Sequence, residues 1–209
     1  MTPYWIEFSK VALAHLLAVA SPGPDFAIVL KQSLAHGRRT AIWTSFGIGT
    51  AILLHVTYSL LGLGLLVAGS RLWFDAVKWA GAGYLAWMGV MALRAKPRID
   101  GLEIGTTSSA PRDRSAFAAG FLTNALNPKA TLFFVALFSV VIDPGTPRFI
   151  QAGYGLWMAL ATAGWFTFVS IVFTRETVRR QFMRFGHWID RVLGIVFLAF
   201  AISLAASSL

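Results

Sequence analysis

The sequence predicts an all-α integral membrane protein whose six transmembrane helices form two inverted three-helix repeats, with the first and fourth helices broken. Three observations carry this prediction: the composition, six long uncharged stretches, and a break in the first stretch of each half. Hydrophobic residues make up 56% of the chain and charged residues only 13%, whereas about a quarter of a soluble domain is charged. One membrane domain over residues 1–209 therefore accounts for the sequence.

Six stretches of roughly 20 or more residues carry almost no charge, as a hydrocarbon core of about 30 Å requires. The predicted spans are 6–34, 40–68, 73–93, 115–142, 149–174 and 189–208. A soluble helical bundle is the alternative, but its helices would show a polar face, and Ala41–Ala68 shows none. The first span has only Lys10, offset by Glu7, ahead of its apolar run, so we expect it to be retained and not cleaved as a signal peptide.

The net charge of +9 is distributed as in a membrane protein and not as in a nucleic-acid-binding protein. Of the 18 Lys and Arg residues, 13 lie in the first, third and fifth gaps between spans or in the span ends beside these gaps, and 4 lie towards the opposite side. Because positive loops stay in the cytoplasm, we expect a multi-pass protein of the inner (plasma) membrane with both termini outside the cytoplasm. The stretch at about 94–114 would be a cytoplasmic linker.

The first span is interrupted by Pro22, Gly23 and Pro24, and Asp25 follows directly. Proline removes a backbone donor and clashes with the preceding turn. Unpaired backbone groups survive at membrane depth only where they face protein or a water-filled cavity. The new half-helix would present free N–H groups and partial positive charge, which suit a carboxylate. A simple helix kink is the alternative interpretation.

The fourth span has a matching break at Asn127-Pro128-Lys129. A shift of 106 residues places Pro22 on Pro128. The same shift places two glycines of the second span on two of the fifth: Gly47 on Gly153, and Gly49 on Gly155. The repeats would cover about 1–93 and about 115–209. Because each has three spans, the halves enter the membrane from opposite sides, and paired broken helices indicate the central site of a transporter.

Asp25 and Lys129 are the candidate chemical groups, because a charge at mid-membrane costs at least ~2.5 kcal/mol and usually faces the protein interior. Asp25 would carry a proton or be held by the half-helix N-terminus, and Lys129 would hold a substrate carboxylate. The alternative is that Asp25 and Lys129 form an ion pair with a purely structural role, as a clamp between the two breaks. Asn124 and Asn127, one turn apart, would either line the cavity or join helices by hydrogen bonds.

The sequence shows no motif that is typical of an enzyme active site. The chain has no cysteine, no His/Asp/Glu spacing suits a metal, and no serine has a base in a recognisable motif. We therefore expect no enzymatic activity, no metal and no cofactor. His15 and His55 lie in spans and are expected to be packed, hydrogen-bonded residues more than proton relays.

Three segments resemble the lysine exporter and homoserine/threonine exporter (LysE/RhtB-type) family: SPGPDFAIVLKQSLAHGRRTAIWTSFGIG, GAGYLAWMGVMALRA and AGFLTNALNPKATLFFVAL. The ending, GWFTFVSIVF and FGHWIDRVLGIVFLAFAISL, is most similar to the threonine-exporting branch. The resemblance implies a six-helix inner-membrane exporter of amino acids driven by the proton gradient.

Carried over position by position, two sets of residues match the family's motifs. They are Pro22, Gly23, Pro24 and Asp25 in the first, and Asn124, Asn127, Pro128 and Lys129 in the second. One departure is that Ala51 and Ile52 stand where the family often has a polar or acidic residue, which puts export of basic amino acids in doubt.

The sequence therefore predicts a secondary active exporter of small neutral amino acids such as threonine or homoserine, in exchange for protons. The alternatives are an exporter of another amino acid, small metabolite or cation, and a non-transporting membrane scaffold. The oligomeric state is left open, a homo-oligomer included.

The charge distribution makes a topology prediction. A reporter active only outside the cytoplasm should work when fused after Leu209, and sites introduced into Pro97–Pro111 should react only with reagents that reach the cytoplasm. A C-terminal reporter active only in the cytoplasm would contradict the assigned orientation.

Overall fold

The computed structural model describes residues 3–69, 71–96, 110–143, 145–173 and 176–206, and all regular structure in these ranges is helical. The helices are α1 (Pro3–Ala20), α2 (Pro24–His36), α3 (Arg38–Gly69), α4 (Arg71–Leu93), α5 (Asp113–Ala125), α6 (Pro128–Val140), α7 (Arg148–Val172) and α8 (Glu176–Ala206). Most of the predicted linker, residues 97–109, lies outside the described residues.

Both breaks that the prolines predict are real interruptions of the helix. The axes of α1 and α2 bend by 52° and those of α5 and α6 by 58°. Pro24 and Pro128 each occupy the first turn of the new helix, where a missing N–H costs no hydrogen bond and the fixed backbone angle is already helical. The bend therefore follows from the local sequence.

Within the described residues, two helices are long and apolar enough to cross a membrane: the Arg38–Leu61 part of α3, and α7. Each bent pair also meets the criterion when taken as one span. The described part of α4 contributes a shorter apolar helix, Ala82–Leu93. Length and composition thus support up to four of the six predicted spans.

One boundary differs clearly from the prediction. Helix α8 begins at Glu176, well before the predicted start of the sixth span at residue 189. The hydropathy criterion stopped at the arginines between them. However, Val178, Phe182, Phe185 and Ile189 recur at helical spacing, a pattern that favours an amphipathic helix. The fifth gap is correspondingly shorter than predicted.

Helix α3 lies at the centre and packs most extensively against α5 and α7, while α4 packs mainly against α8. Small residues allow these contacts. A Cβ on Gly89 of α4 would lie 2.9 Å from the Gly194 carbonyl oxygen of α8, and a Cβ on Gly194 would lie 2.8 Å from that of Gly89. Such close helix contact is typical of packing within membranes.

The tightest approach joins α3 and α5. A Cβ on Gly47 would overlap the Phe117 carbonyl, and a Cβ on Gly120 would overlap the Thr44 carbonyl. The two helices therefore touch backbone to backbone. No side-chain rearrangement can make room at this crossing, because the blocking atoms belong to the main chain.

This crossing yields a stability prediction. Gly120→Ala should lower the free energy of unfolding by roughly 1–3 kcal/mol, the usual cost of overpacking, because α3 and α5 must separate. Thermal unfolding of purified protein in detergent measures the loss. Gly153→Ala in α7 is the matched control, since nothing lies within 4 Å of its added Cβ, and it should be neutral or stabilising by up to about 1 kcal/mol. An equal loss of unfolding free energy in both variants would contradict the close backbone contact between α3 and α5.

Candidate functional site

The two helix breaks meet at one carboxylate. Asp25 lies in the first turn of α2, and its Oδ2 accepts hydrogen bonds from Asn124 Nδ2 at 3.0 Å and Asn127 Nδ2 at 3.1 Å. Asn124 is in the last turn of α5, and Asn127 directly precedes α6. The first break is therefore hydrogen-bonded to both sides of the second.

Asn127 serves both helices at once. Its Oδ1 accepts a hydrogen bond from the Lys129 backbone N–H at 3.0 Å and so caps α6, the role that asparagine commonly plays at a helix N-terminus. With Oδ1 occupied in this way, its amide nitrogen points to Asp25. The cap that starts α6 thus also fixes a donor for the acid.

Asn124 is oriented by a buried histidine. His55 Nε2 lies 3.1 Å from both the backbone oxygen and the side-chain oxygen of Asn124, so this nitrogen donates to them. His55 Nδ1 lies 2.5 Å from the Tyr58 hydroxyl, which can donate to it. Because Asn124 Oδ1 faces His55, its Nδ2 is left for Asp25. His55 is packed and hydrogen-bonded, the more frequent condition expected from the sequence.

Lys129 is connected to a second acid through a serine. Lys129 Nζ donates to Ser21 Oγ at 2.6 Å, and Ser21 Oγ donates to Asp190 Oδ1 at 2.5 Å. Gly23 lies beside the ammonium group, since a Cβ there would be 3.7 Å from Lys129 Nζ. The break in the first span, the start of α6 and the middle of α8 are therefore joined by one chain of polar atoms.

Asp190, at the predicted edge of the sixth span, was not among the predicted site residues. It is only 7% exposed. The available signal was an acid one residue inside an apolar stretch, where a charge needs a partner. Ser21 was likewise not among the predicted site residues.

A small cavity lies between the breaks. Water-sized molecules could place their centres within about 50 Å³ of it, room for a few waters at ~10–15 Å³ each. Asp25, Asn124, Asn127, Lys129, Ser21 and Gly23 border it together with Phe133, Phe134, Phe166 and Phe197. Asp25 Oδ1 is buried and has no hydrogen-bond partner among the described residues. The cavity wall is therefore mostly apolar, with an acid and a base beside each other, and one oxygen of the acid has no hydrogen-bond partner among the described residues.

Within the part of the chain that the structure describes, no group of three His, Cys, Asp or Glu residues could hold a metal ion. The site contains a carboxylate, an ammonium group and amides, which are groups suited to binding a small charged organic molecule or a proton.

A family model described as LysE type translocator matches residues 16–208 of the chain. The chain belongs to this family. Members of the LysE family are efflux transporters and not enzymes, so the site at the helix breaks belongs to a transport protein.

Two named kinds of efflux protein are similar to this LysE family chain. The threonine efflux protein of Salmonella typhi is 32% identical over 202 residues, covering 96% of this chain and 98% of the relative. That of Escherichia coli is 31% identical over the same share of each chain. The homoserine/homoserine lactone efflux protein of Salmonella typhimurium is 35% identical over 151 residues, 72% of this chain and 71% of the relative. No solved structure matches the chain.

The Ser21–Asp190 contact makes a prediction for this LysE family chain. Asp190→Asn keeps an acceptor but removes the charge beside Ser21 and Lys129, so a charge-assisted hydrogen bond becomes a weaker neutral one. We expect a loss of roughly 1–3 kcal/mol in the free energy of unfolding, measured by thermal unfolding in detergent.

Asp113→Asn is the matched control for Asp190→Asn. Asp113 pairs with Arg39, whose side chain is 82% exposed, and an exposed pair contributes at most about 1 kcal/mol. If Asp190→Asn proved no more destabilising than Asp113→Asn, the buried chain of polar atoms would not stabilise the fold.

Proposed function

We propose that this protein is a secondary active exporter of small neutral amino acids, with threonine and homoserine as the first candidates, and that protons entering the cell drive the export. One observation carries the proposal: two broken helices meet around an acid with an unpartnered buried oxygen, beside a lysine, at a cavity. The names of the relatives support the substrate class, since they are efflux proteins for threonine and for homoserine.

The site offers separate groups for the two charges of an amino acid. Lys129 Nζ and the N-termini of α2 and α6 border the cavity, and both features favour a carboxylate there. Asp25 Oδ1 is an unoccupied acceptor and can receive the ammonium group. In this proposal a neutral amino acid fits because its carboxylate pairs with Lys129 and its ammonium group pairs with Asp25.

Asp25 also accounts for exchange with a proton. Its Oδ2 is held by two amide donors, which leaves Oδ1 as the atom that takes either the ammonium group or a proton. Both cannot occupy one oxygen at the same time. Binding of the substrate therefore favours release of the proton, and binding of the proton favours release of the substrate. This reciprocity is the thermodynamic requirement for coupled exchange.

Packing supports the proposed pair of inverted repeats. The second helices of the two halves, α3 and α7, pack together, and so do the third helices, α4 and α8. Gly49 and Gly155, which coincide at a shift of 106 residues, both lie at the α3–α7 contact, beside Ala159 and Val56 respectively. Equivalent elements that meet in this way are expected around a two-fold axis in the membrane plane. Six spans in the inner membrane, with both termini outside the cytoplasm, belong to the same proposal.

A purely structural clamp between Asp25 and Lys129 is less well supported. Each side chain has hydrogen-bond partners of its own, the two asparagines for Asp25 and Ser21 for Lys129. A clamp or scaffold also gives no reason to leave a buried carboxylate oxygen without a partner, which is costly.

Substitution of the two charges tests the proposal. Asp25→Asn should abolish the dependence of efflux on the proton gradient, and Lys129→Met should weaken substrate binding, so the substrate concentration for half-maximal efflux should rise at least tenfold. Efflux of labelled threonine and homoserine from loaded cells, with and without a proton uncoupler, measures both effects.

The double variant, Asp25→Asn with Lys129→Met, separates transport from structure. Removing both members of a buried pair is often tolerated by the fold, so the protein should remain in the membrane but be inactive. Asp113→Asn, at the exposed ion pair with Arg39, is the control and should export normally. Normal efflux from the double variant would show that the charges are structural.

A further inference from the structure

A second polar group borders the same cavity, away from the helix breaks. His15 of α1 and Thr162 of α7 are each only 1% exposed, both line the cavity, and His15 Nε2 lies 3.1 Å from Thr162 Oγ1. His15 precedes Ser21 by six residues, about 9 Å along a helix at 1.5 Å per residue. We call these two residues the His15–Thr162 pole of the cavity, and Asp25 with Lys129 its charged pole.

One polar atom of the His15–Thr162 pole has no hydrogen-bond partner in the described part of the chain. His15 Nδ1 is buried and has no partner among the described residues. The rings of Phe133, Phe134 and Trp157 surround the imidazole at centroid distances of 6.3, 6.2 and 5.9 Å. An orphaned polar atom in such apolar surroundings is costly, and because His15 lines the cavity, a ligand there can satisfy it.

A hydroxyl group is the ligand group that suits either tautomer of His15. If Thr162 donates to Nε2, Nδ1 carries a proton and needs an acceptor. If Nε2 donates to Thr162, Nδ1 needs a donor. A hydroxyl can do either, whereas an additional charge among aromatic rings would be strongly penalised.

We propose that His15 and Thr162 recognise the side-chain hydroxyl of the substrate and so select hydroxyl-bearing amino acids over apolar ones of the same shape. This inference rests on the proposed function: the charged pole holds the ammonium and carboxylate groups, and the His15–Thr162 pole reads the side chain. A site built to bind a hydroxyl rejects the analogue that lacks it, because its own polar atoms would stay unpaired.

Threonine and valine form the test pair, since valine replaces the hydroxyl of threonine with a methyl group. The full-length protein in liposomes should exchange labelled threonine in preference to valine by roughly 10- to 100-fold, the value of one unsatisfied buried hydrogen bond. In His15→Phe and in the isosteric Thr162→Val, the rates of threonine and valine exchange should differ by no more than about threefold. Valine exchange should continue in both variants. Wild-type protein that exchanges valine as well as threonine would overturn the inference.

The controls separate this inference from the proposed function. His187→Phe alters a histidine on α8 that bonds the Arg184 carbonyl oxygen and does not line the cavity, so the threonine preference should be unchanged. If both cavity variants also kept the full preference, or lost threonine and valine exchange equally, His15 and Thr162 would not read the hydroxyl. Failure of the proposed function would appear differently, as wild-type protein that exchanges no amino acid.

Discussion

Two amide hydrogen bonds to a single oxygen of Asp25 hold the broken helices against each other. A carboxylate at membrane depth is costly unless it has partners, and the interrupted backbone beside it must also face protein or water. Placing the two breaks together meets both requirements. The cavity lies between the two breaks, and Lys129 borders it.

The same atoms serve the fold and the site. Asn127 caps α6 and donates to Asp25, and Ser21 connects Lys129 to Asp190 on α8. Stability and binding are therefore not separable residue by residue here. The two atoms proposed to bind substrate, Asp25 Oδ1 and His15 Nδ1, combine two properties. Each is buried without a hydrogen-bond partner among the described residues, and each belongs to a residue that lines the cavity.

The sequence predicted the features that depend on local chemistry. Pro22, Gly23 and Pro24 break a helix wherever they occur, and an acid or a lysine in an apolar stretch must face inward, so both breaks and the residues around Asp25 could be predicted. Asp190 offered the same signal at the edge of the sixth span but was missed. Thr162 offered none, because its importance comes from the contact with His15 on a helix far away in the sequence. The start of α8 was missed because hydropathy responds to the arginines and not to the helical spacing of the apolar residues between them.

The glycine crossing of α3 and α5 has a mechanical consequence. Where main chain touches main chain, at Gly47 and Gly120, there are no side chains whose rotamers could change to let the helices slide. We therefore expect α3 and α5 to move together as one rigid unit. Pro22, Gly23 and Pro128 already interrupt the helices at the two bends, so the chain can flex at these segments without breaking further helical hydrogen bonds.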